Sequence, residues 1–226
     1  MKTALSVFFI LITSFCFSQE EKLVYSSRQI TFYGFDFSLF RYVDPDKVVN
    51  VNVNGLLDPT NAKNAANASK IKNESPVAWN TYFFQERPEK ALRKQFKKDS
   101  VYIDLSCVLE SAKNINEQTF IDAAPIKLST TQIQEVINSY KIDKPKTTIG
   151  LVCVVENFIK STKYKTHAET YYVFFNISDR KILMIDRVND GDAGGWTFRK
   201  YWGIALIRNS DIYFHKFYKK RLSKYK

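Results

Sequence analysis

The chain has 226 residues, 45% of them hydrophobic, and its formal net charge at pH 7 is +11. A chain of this length and apolar content can bury a sizeable core, which excludes a largely disordered protein and favours one globular domain over two small ones. Phenylalanine is abundant, with 18 residues, and glycine is scarce, with 7, which indicates a densely packed interior with few turns.

The first 18 residues have the pattern of a signal peptide. Lys2 supplies a positive start, an uncharged and mostly apolar stretch runs to Phe17, and Ser18 is a small residue before the cleavage point. The stretch is too short to span a bilayer, and a buried helix is the alternative. Lipoprotein anchoring at Cys16 is not expected, because Phe15 precedes it where a small residue is usual. We predict an exported protein, periplasmic or secreted, without a transmembrane span after signal removal.

The mature chain begins with a short lead, residues 19–27, and its first predicted element is a strand over Arg28–Val43. Both alternating faces of this strand are largely apolar, so we expect it in the interior of a sheet. A long loop over residues 44–75 follows, because this segment is rich in Asn and Ala and poor in large apolar residues.

Two helices, a strand and a third helix come next. Ser75-Pro76 is typical of a helix start, and Pro88 is expected to end that helix and begin a second one. Alternation over Asp99–Leu105 predicts a strand. A capping box from Ser129 to Gln132, followed by apolar residues at helical spacing, predicts the clearest helix of the chain.

Three strands and a final helix complete the pattern. The apolar run Thr148–Phe158 predicts a buried strand, and residues 169–177 and 181–188 predict a hairpin. A helix from about Arg199 is predicted after a Gly- and Asp-rich loop, with two strands that turn at Asn209 as the alternative. The order is β-α-α-β-α-β-β-β-α. It indicates an α+β fold with a single mixed sheet of about five strands packed against three to four helices, in one domain over residues 28–212.

The last segment, residues 213–226, is predicted to be a basic tail. It carries six cations and no acidic residue: Lys216, Lys219, Lys220, Arg221, Lys224 and Lys226. Such a segment can attract an anionic envelope surface or an envelope protein, and the alternative is a solvated end that maintains solubility. Because export separates the protein from nucleic acid, we do not expect nucleic acid as a partner.

Two acids interrupt otherwise apolar predicted strands. Asp36 and Glu156 would be costly to bury alone, so each needs a partner. Our hypothesis is that Asp36, Glu156 and Arg199 form one buried polar cluster, in which the two carboxyls could perform acid–base chemistry. The alternative is that each carboxyl is hydrogen-bonded or salt-bridged to a structural partner, for example Arg199 or Lys160.

Other candidate sites are weaker. Asp186, Asp190 and Asp192 are oxygen ligands of the kind that calcium prefers, but their spacing is not that of a calcium loop, so no metal is predicted. Arg199, Tyr201 and Trp202 are residue types common in binding sites, with core packing as the alternative for Trp202.

Cysteine chemistry and cofactors are not indicated either. The mature chain contains Cys107 and Cys153, each in an apolar run, so they are either two buried thiols or one disulfide. No sequence motif for a cofactor is present, and no cofactor is predicted.

Several aromatic and glycine landmarks resemble those of a known group. Tyr33–Ser38 reads YGFDFS, residues 150–156 read GLVCVVE, and residues 194–202 read GGWTFRKYW. Together they resemble a group of exported, uncharacterised proteins common in Bacteroidetes. The chain has Asn176 and Lys200 where that group often has Asp and Asn. The resemblance implies a cell-envelope location and a shared fold, but no reaction.

Two functions remain from these patterns. The first is a non-enzymatic envelope protein that binds a protein partner or an anionic surface through its carboxy-terminal region. The alternative is a hydrolase or transferase that uses Asp36 and Glu156. A solvent-facing cleft with both carboxyls would favour the enzyme.

Overall fold

The computed structural model of the chain describes residues 20–43, 62–122, 124–160 and 166–225, apart from the side chains of residues 62–68 and 198. The predicted signal peptide with Cys16, and residues 44–61 of the predicted loop, lie outside the described residues. Within the described part of the chain, no helix is long and apolar enough to cross a membrane.

Seven strands of the described chain form one sheet. They are β1 (Gln29–Asp36), β2 (Arg41–Val43), β3 (Ser100–Ile103), β4 (Ile121–Asp122), β5 (Ile149–Ile159), β6 (His167–Asn176) and β7 (Ile182–Val188). The prediction of a mixed sheet in an α+β fold is therefore confirmed. The sheet exceeds the expected five strands because the first predicted strand is divided and the two-residue β4 has no sequence signal.

Strand β5 is the centre of the sheet. Along its whole length it pairs antiparallel with β6, which in turn pairs antiparallel with β7. Its other edge is shared, because β1 pairs parallel with its first half and β2 with its last three residues. β3 and β4 lie outside β1 and β2, also parallel. This central position explains why the sequence of β5 is apolar on both faces.

A turn divides the predicted strand Arg28–Val43 into β1 and β2. The Asp36 carboxylate accepts hydrogen bonds from the Ser38 backbone N–H at 2.8 Å and the Ser38 hydroxyl at 2.6 Å, which turns the chain locally. Before this turn, Gly34 has a φ of +88°, and a Cβ there would lie 2.5 Å from the Asn80 side chain. Glycine is therefore required where the first helix approaches β1.

Six α-helices that follow β1 in the described chain surround the sheet: α1 (Ala62–Glu86), α2 (Glu89–Phe96), α3 (Ser106–Ser111), α4 (Thr130–Asn138), α5 (Phe198–Ile212) and α6 (Lys219–Leu222). The break at Pro88 is confirmed, and so is the capping box, in which the Ser129 hydroxyl accepts from Gln132 N–H at 3.2 Å. The predicted helix after the glycine loop is confirmed as α5.

The predicted loop is wrong for residues 62–75, because α1 begins at Ala62 rather than at Ser75-Pro76. Ala and Lys in this segment favour a helix even without large apolar residues. Pro76 lies inside the helix, where the Asn80 amide donates to the Pro76 carbonyl at 3.0 Å. The local start signal was therefore overridden by the helical preference of the preceding residues.

The sheet separates two hydrophobic cores. One contains α1, α2, α5 and the alternate β5 residues Leu151, Cys153 and Val155, and the other contains α3, α4 and Val152. Cys107 lies in the second core, so the two thiols of the mature chain belong to different cores, and both are free and buried. Burial, together with the nearby acids Asp36 and Asp104, raises the pKa of the Cys107 thiol to about 12, so it is not activated as a nucleophile.

The predicted basic tail is a packed helix instead. A π-helical segment, Tyr213–Tyr218, continues α5 directly into α6. Tyr213 stacks on Tyr172 with ring centroids 4.0 Å apart, and the Tyr218 hydroxyl donates to the Phe96 carbonyl at 3.0 Å. The aromatic residues between the lysines therefore belong to the core, and the boundary predicted at residue 212 is wrong.

The predicted lead is also part of the fold, as a helical segment over residues 20–26. Lys98 is buried at the end of this segment and donates from Nζ to the carbonyls of Val24 and Ser27, both at 2.6 Å. Tyr25 stacks on Tyr225 with centroids 5.0 Å apart. The two ends of the described chain therefore pack against each other.

Candidate functional site

Asp36 ends β1 and is completely buried, with its carboxylate facing α4. The Tyr140 hydroxyl donates to Asp36 Oδ2 at 2.7 Å, while Oδ1 accepts the two hydrogen bonds from Ser38. Burial and the adjacent Asp36 charge raise the pKa of Tyr140 well above its usual value, so the phenol remains a donor. Asp36 therefore joins β1 to the segment after α4.

Glu156 lies on β5 and is also completely buried. Its Oε2 accepts from Arg187 Nε and Nη2, both at 2.7 Å, and its Oε1 accepts from the Leu128 backbone N–H at 2.6 Å. The Tyr171 hydroxyl donates to the Leu128 carbonyl at 3.0 Å. Glu156 is therefore held by a charged side chain of β7 and by the segment that leads into α4.

Arg187 also contacts a second acid. Its Nη2 lies 3.1 Å from Oε2 of Glu169 on β6, and the Asn157 amide donates to the same oxygen at 2.6 Å. Burial opposes ionisation of Glu169, but the nearby His167 side chain, the hydrogen bond from Asn157 and the charge of Arg187 outweigh it, so the pKa of Glu169 is lowered. We call Glu156, Glu169 and Arg187 with Asn157 the β5–β7 polar cluster.

The hypothesis of one cluster formed by Asp36, Glu156 and Arg199 is wrong. Arg199 is exposed on the first turn of α5, where Nη2 donates to Gln85 Oε1 at 2.7 Å and the guanidinium lies over Tyr82. Arg199 cannot join the two acids because it lies on the other side of the sheet. Helix α5 packs on the core of α1, whereas both acids face the α4 side. Each carboxyl has its own partners, as the alternative stated.

Sequence reasoning missed Arg187, although a signal for it existed. The predicted turn at Ser178–Arg180 fixes the hairpin register, which places Arg187 opposite Tyr171 and beside Glu169. Counting residue pairs outward from the turn would have placed a cation of β7, Arg187, beside the one acid of β6, Glu169. The contact from Leu128 carried no such signal, because it comes from an irregular segment.

The acids that were considered as calcium ligands have different hydrogen-bond partners. Arg221 donates two hydrogen bonds to Asp186, at 2.8 and 2.6 Å, and the Asp190 carboxylate accepts from Gly191 N–H at 2.8 Å. Burial raises the pKa of Asp186 although Arg221 opposes this. Among the residues that the structure describes, no group of three or more His, Cys, Asp or Glu side chains could hold a metal ion.

The predicted recognition residues of α5 do not form a common surface. Trp202 is completely buried and stacks on Phe158 with centroids 4.2 Å apart, so it belongs to the core. Tyr201 is half-buried against Trp202, and only Arg199 is exposed. The fully exposed aromatic residue is Trp196, in the loop before α5. The spacing of the aromatic residues alone could not predict that Trp202 is buried and Trp196 exposed, because α5 begins between these two residues.

Positive charge is exposed on two helices that touch. Phe96 of α2 packs edge-on against Tyr218, with centroids 5.1 Å apart. Exposed cations lie on both helices: Lys90, Arg93 and Lys94 on α2, and Lys216, Lys219, Lys220 and Lys224 on or beside the π-helical segment and α6. None of these seven forms an ion pair within the described chain. We call them the basic surface. Arg221, predicted with them, is half-buried and bound to Asp186.

Comparison with known proteins gives no match: no family model, no curated protein and no solved structure is similar to the chain. The resemblance to an exported Bacteroidetes group stays a prediction. The function is therefore argued from the geometry of the molecule.

Proposed function

We propose that the protein is an exported, non-enzymatic protein of the cell envelope that binds an anionic lipid surface through the basic surface. The observation that carries the proposal is the set of seven exposed cations, none ion-paired to a residue that the structure describes, on two helices in contact. Each such cation near an anionic membrane contributes about 1 kcal/mol of attraction. The signal-peptide pattern supports export, since it would deliver the protein to a membrane face.

The packing of the carboxy-terminal helix supports this role. Its inner side holds Tyr213, Phe214 and Tyr218 in the core, which fixes the backbone that carries the lysines. A fixed array of charges loses less conformational freedom on binding than a flexible tail would. An acidic face of an envelope protein would fit the same cations, but a lipid surface does not require a matching shape.

The hydrolase is not proposed, because no observation favours it. Asp36 and Glu156 are both completely buried, and each is engaged by its own hydrogen-bond donors. A general acid or base must reach the proton that it transfers, and neither Asp36 nor Glu156 has solvent-exposed surface.

Co-sedimentation of the purified protein with vesicles tests the proposal. We expect binding to phosphatidylglycerol vesicles, no binding to phosphatidylcholine vesicles, and a steep loss of binding as salt is raised. The variant K216Q/K219Q/K220Q should bind at least tenfold more weakly. Substitution is preferable to deletion of residues 213–226, because the deletion would also remove the core side chains Tyr213 and Tyr218.

A matched control has the same change in charge at another place. Lys141, Lys144 and Lys146 are exposed between α4 and β5, so K141Q/K144Q/K146Q lowers the net charge equally. This variant should retain most of the binding. Equal losses in both triple variants would mean that only net charge matters, and an absence of binding to anionic vesicles would refute the proposal.

A further inference from the structure

A pocket of about 490 Å³ opens on the α4 side of the sheet, away from the basic surface. Its walls come from the turn and start of β2 (residues 38–41), the segment before β4 (residues 114–120) and the segment that leads into α4 (residues 126–132). This volume lies within the range of small-molecule sites, roughly 300–1,000 Å³. We call it the Arg41 pocket.

Arg41 is the unusual side chain of this pocket. It is about three-quarters buried, with 24% of its side-chain surface exposed, yet it donates no hydrogen bond within the described chain. Its ion pair with Asp122 is long, at 3.9 Å from Nη1 to Oδ2. A largely buried guanidinium normally has a close carboxylate or several acceptors, because removing its charge from water is costly. Arg41 therefore lines the pocket with a guanidinium whose donors no close acceptor of the described chain occupies.

The other polar residues of the described lining also offer positive charge or hydrogen-bond donors. No Asp or Glu is among the described residues that line the pocket, while Lys127 adds a second cation without an ion pair. Gln132 uses its carbonyl oxygen to accept from Ser129, which leaves its amide N–H groups as donors. Asn116 likewise accepts with its oxygen, from Gln118 N–H at 3.0 Å. The described lining thus combines two cations with side-chain amides and contains no carboxylate.

We propose that the Arg41 pocket binds a small hydroxy acid of about monosaccharide size. The guanidinium of Arg41 would bind the carboxylate, since its planar fork matches the two oxygens, with Lys127 adding attraction. The amides of Asn114, Asn116 and Gln132 would donate to the hydroxyl oxygens. A free phosphate ion would satisfy the cations but would leave most of the 490 Å³ unfilled. This binding site is separate from the basic surface.

Isothermal titration of the purified protein tests the site with glucuronate, with glucose as the uncharged probe and inorganic phosphate as the small anion. We expect glucuronate to bind most tightly and glucose not to bind. R41Q should weaken glucuronate binding at least tenfold, and R41K, which keeps the charge but not the fork, should also weaken it. R93Q is the matched control, because it makes the same change on the basic surface.

A second measurement uses only the unmodified protein. In heteronuclear NMR spectra, glucuronate should shift the side-chain amide signals of Asn114, Asn116 and Gln132. Absent shifts, equal effects of R41Q and R93Q, or phosphate binding as tight as that of glucuronate would each overturn the proposal. Vesicle binding does not enter these measurements, so failure here and failure of the proposed lipid binding are distinguishable.

Discussion

Two buried acids on the same side of the sheet are stabilised in different ways. Asp36 on β1 accepts only from neutral donors, the Tyr140 hydroxyl and Ser38, whereas Glu156 on β5 accepts from the Arg187 guanidinium. In both cases the sequence shows one acid inside an apolar strand. The difference arises from the neighbouring strands, because Asp36 lies beside a turn and Glu156 lies one strand away from the hairpin that carries Arg187.

This difference predicts a difference in cost when the partner is removed. Loss of a neutral donor leaves one acceptor site unsatisfied, whereas loss of a buried cation leaves a charge without compensation. We therefore expect loss of the Arg187 cation to lower the free energy of unfolding more than loss of the Tyr140 hydroxyl.

The largest effect is expected for R187M. Methionine retains the apolar stem but leaves Glu156 and Glu169 without their shared cation. Breaking a buried ion pair typically costs roughly 3–5 kcal/mol, and because 29% of the Arg187 side chain is exposed, we expect about 3 kcal/mol. Urea unfolding at pH 7 measures the free energy of unfolding.

The double variant E156Q/R187M provides the control for this prediction. Glutamine can still accept from the Leu128 N–H but brings no charge. The double variant should therefore be more stable than R187M alone by at least about 1 kcal/mol. Equal stability of the two would contradict the view that the uncompensated charge of Glu156 causes the loss.

A smaller effect is expected for Y140F. This substitution removes the hydroxyl that donates to Asp36 Oδ2 at 2.7 Å and preserves the ring, while both hydrogen bonds from Ser38 remain. Hydrogen bonds to charged groups contribute about 1.5–3 kcal/mol, so we expect a loss of about 2 kcal/mol in urea unfolding. A loss equal to that of R187M would remove the distinction between the two acids.

The fold was predictable from the sequence to a greater extent than the polar contacts. The apolar run of β5 and the capping box at Ser129 are local signals, and each produced the predicted element. The distant partners of Asp36 and Glu156, Tyr140 and Arg187, are 104 and 31 residues away, so these contacts depend on strand order, which no local pattern specifies. The carboxy-terminal helix was misjudged because lysines dominate its composition, although its aromatic residues recur at core spacing.

The second acid of the β5–β7 polar cluster makes stability depend on pH. The pKa of Glu169 is lowered from its ordinary value of 4.5, so its contribution is present above that value and is lost as pH falls through the folded pKa. In urea unfolding between about pH 6 and pH 3, wild type should lose more stability than E169Q. Parallel pH profiles would contradict this assignment.

The smallest effect is expected for Arg199, the third member of the cluster that the sequence suggested. R199Q removes an exposed hydrogen bond to Gln85 and a contact with the Tyr82 ring, and it leaves no buried charge behind. Exposed pairs are screened by water, so the urea midpoint should not change measurably. Q85A, which removes the same hydrogen bond from the other side, should behave alike. A loss approaching that of R187M would mean that Arg199 does reach the buried acids, and the separation of the two sides of the sheet would then be wrong.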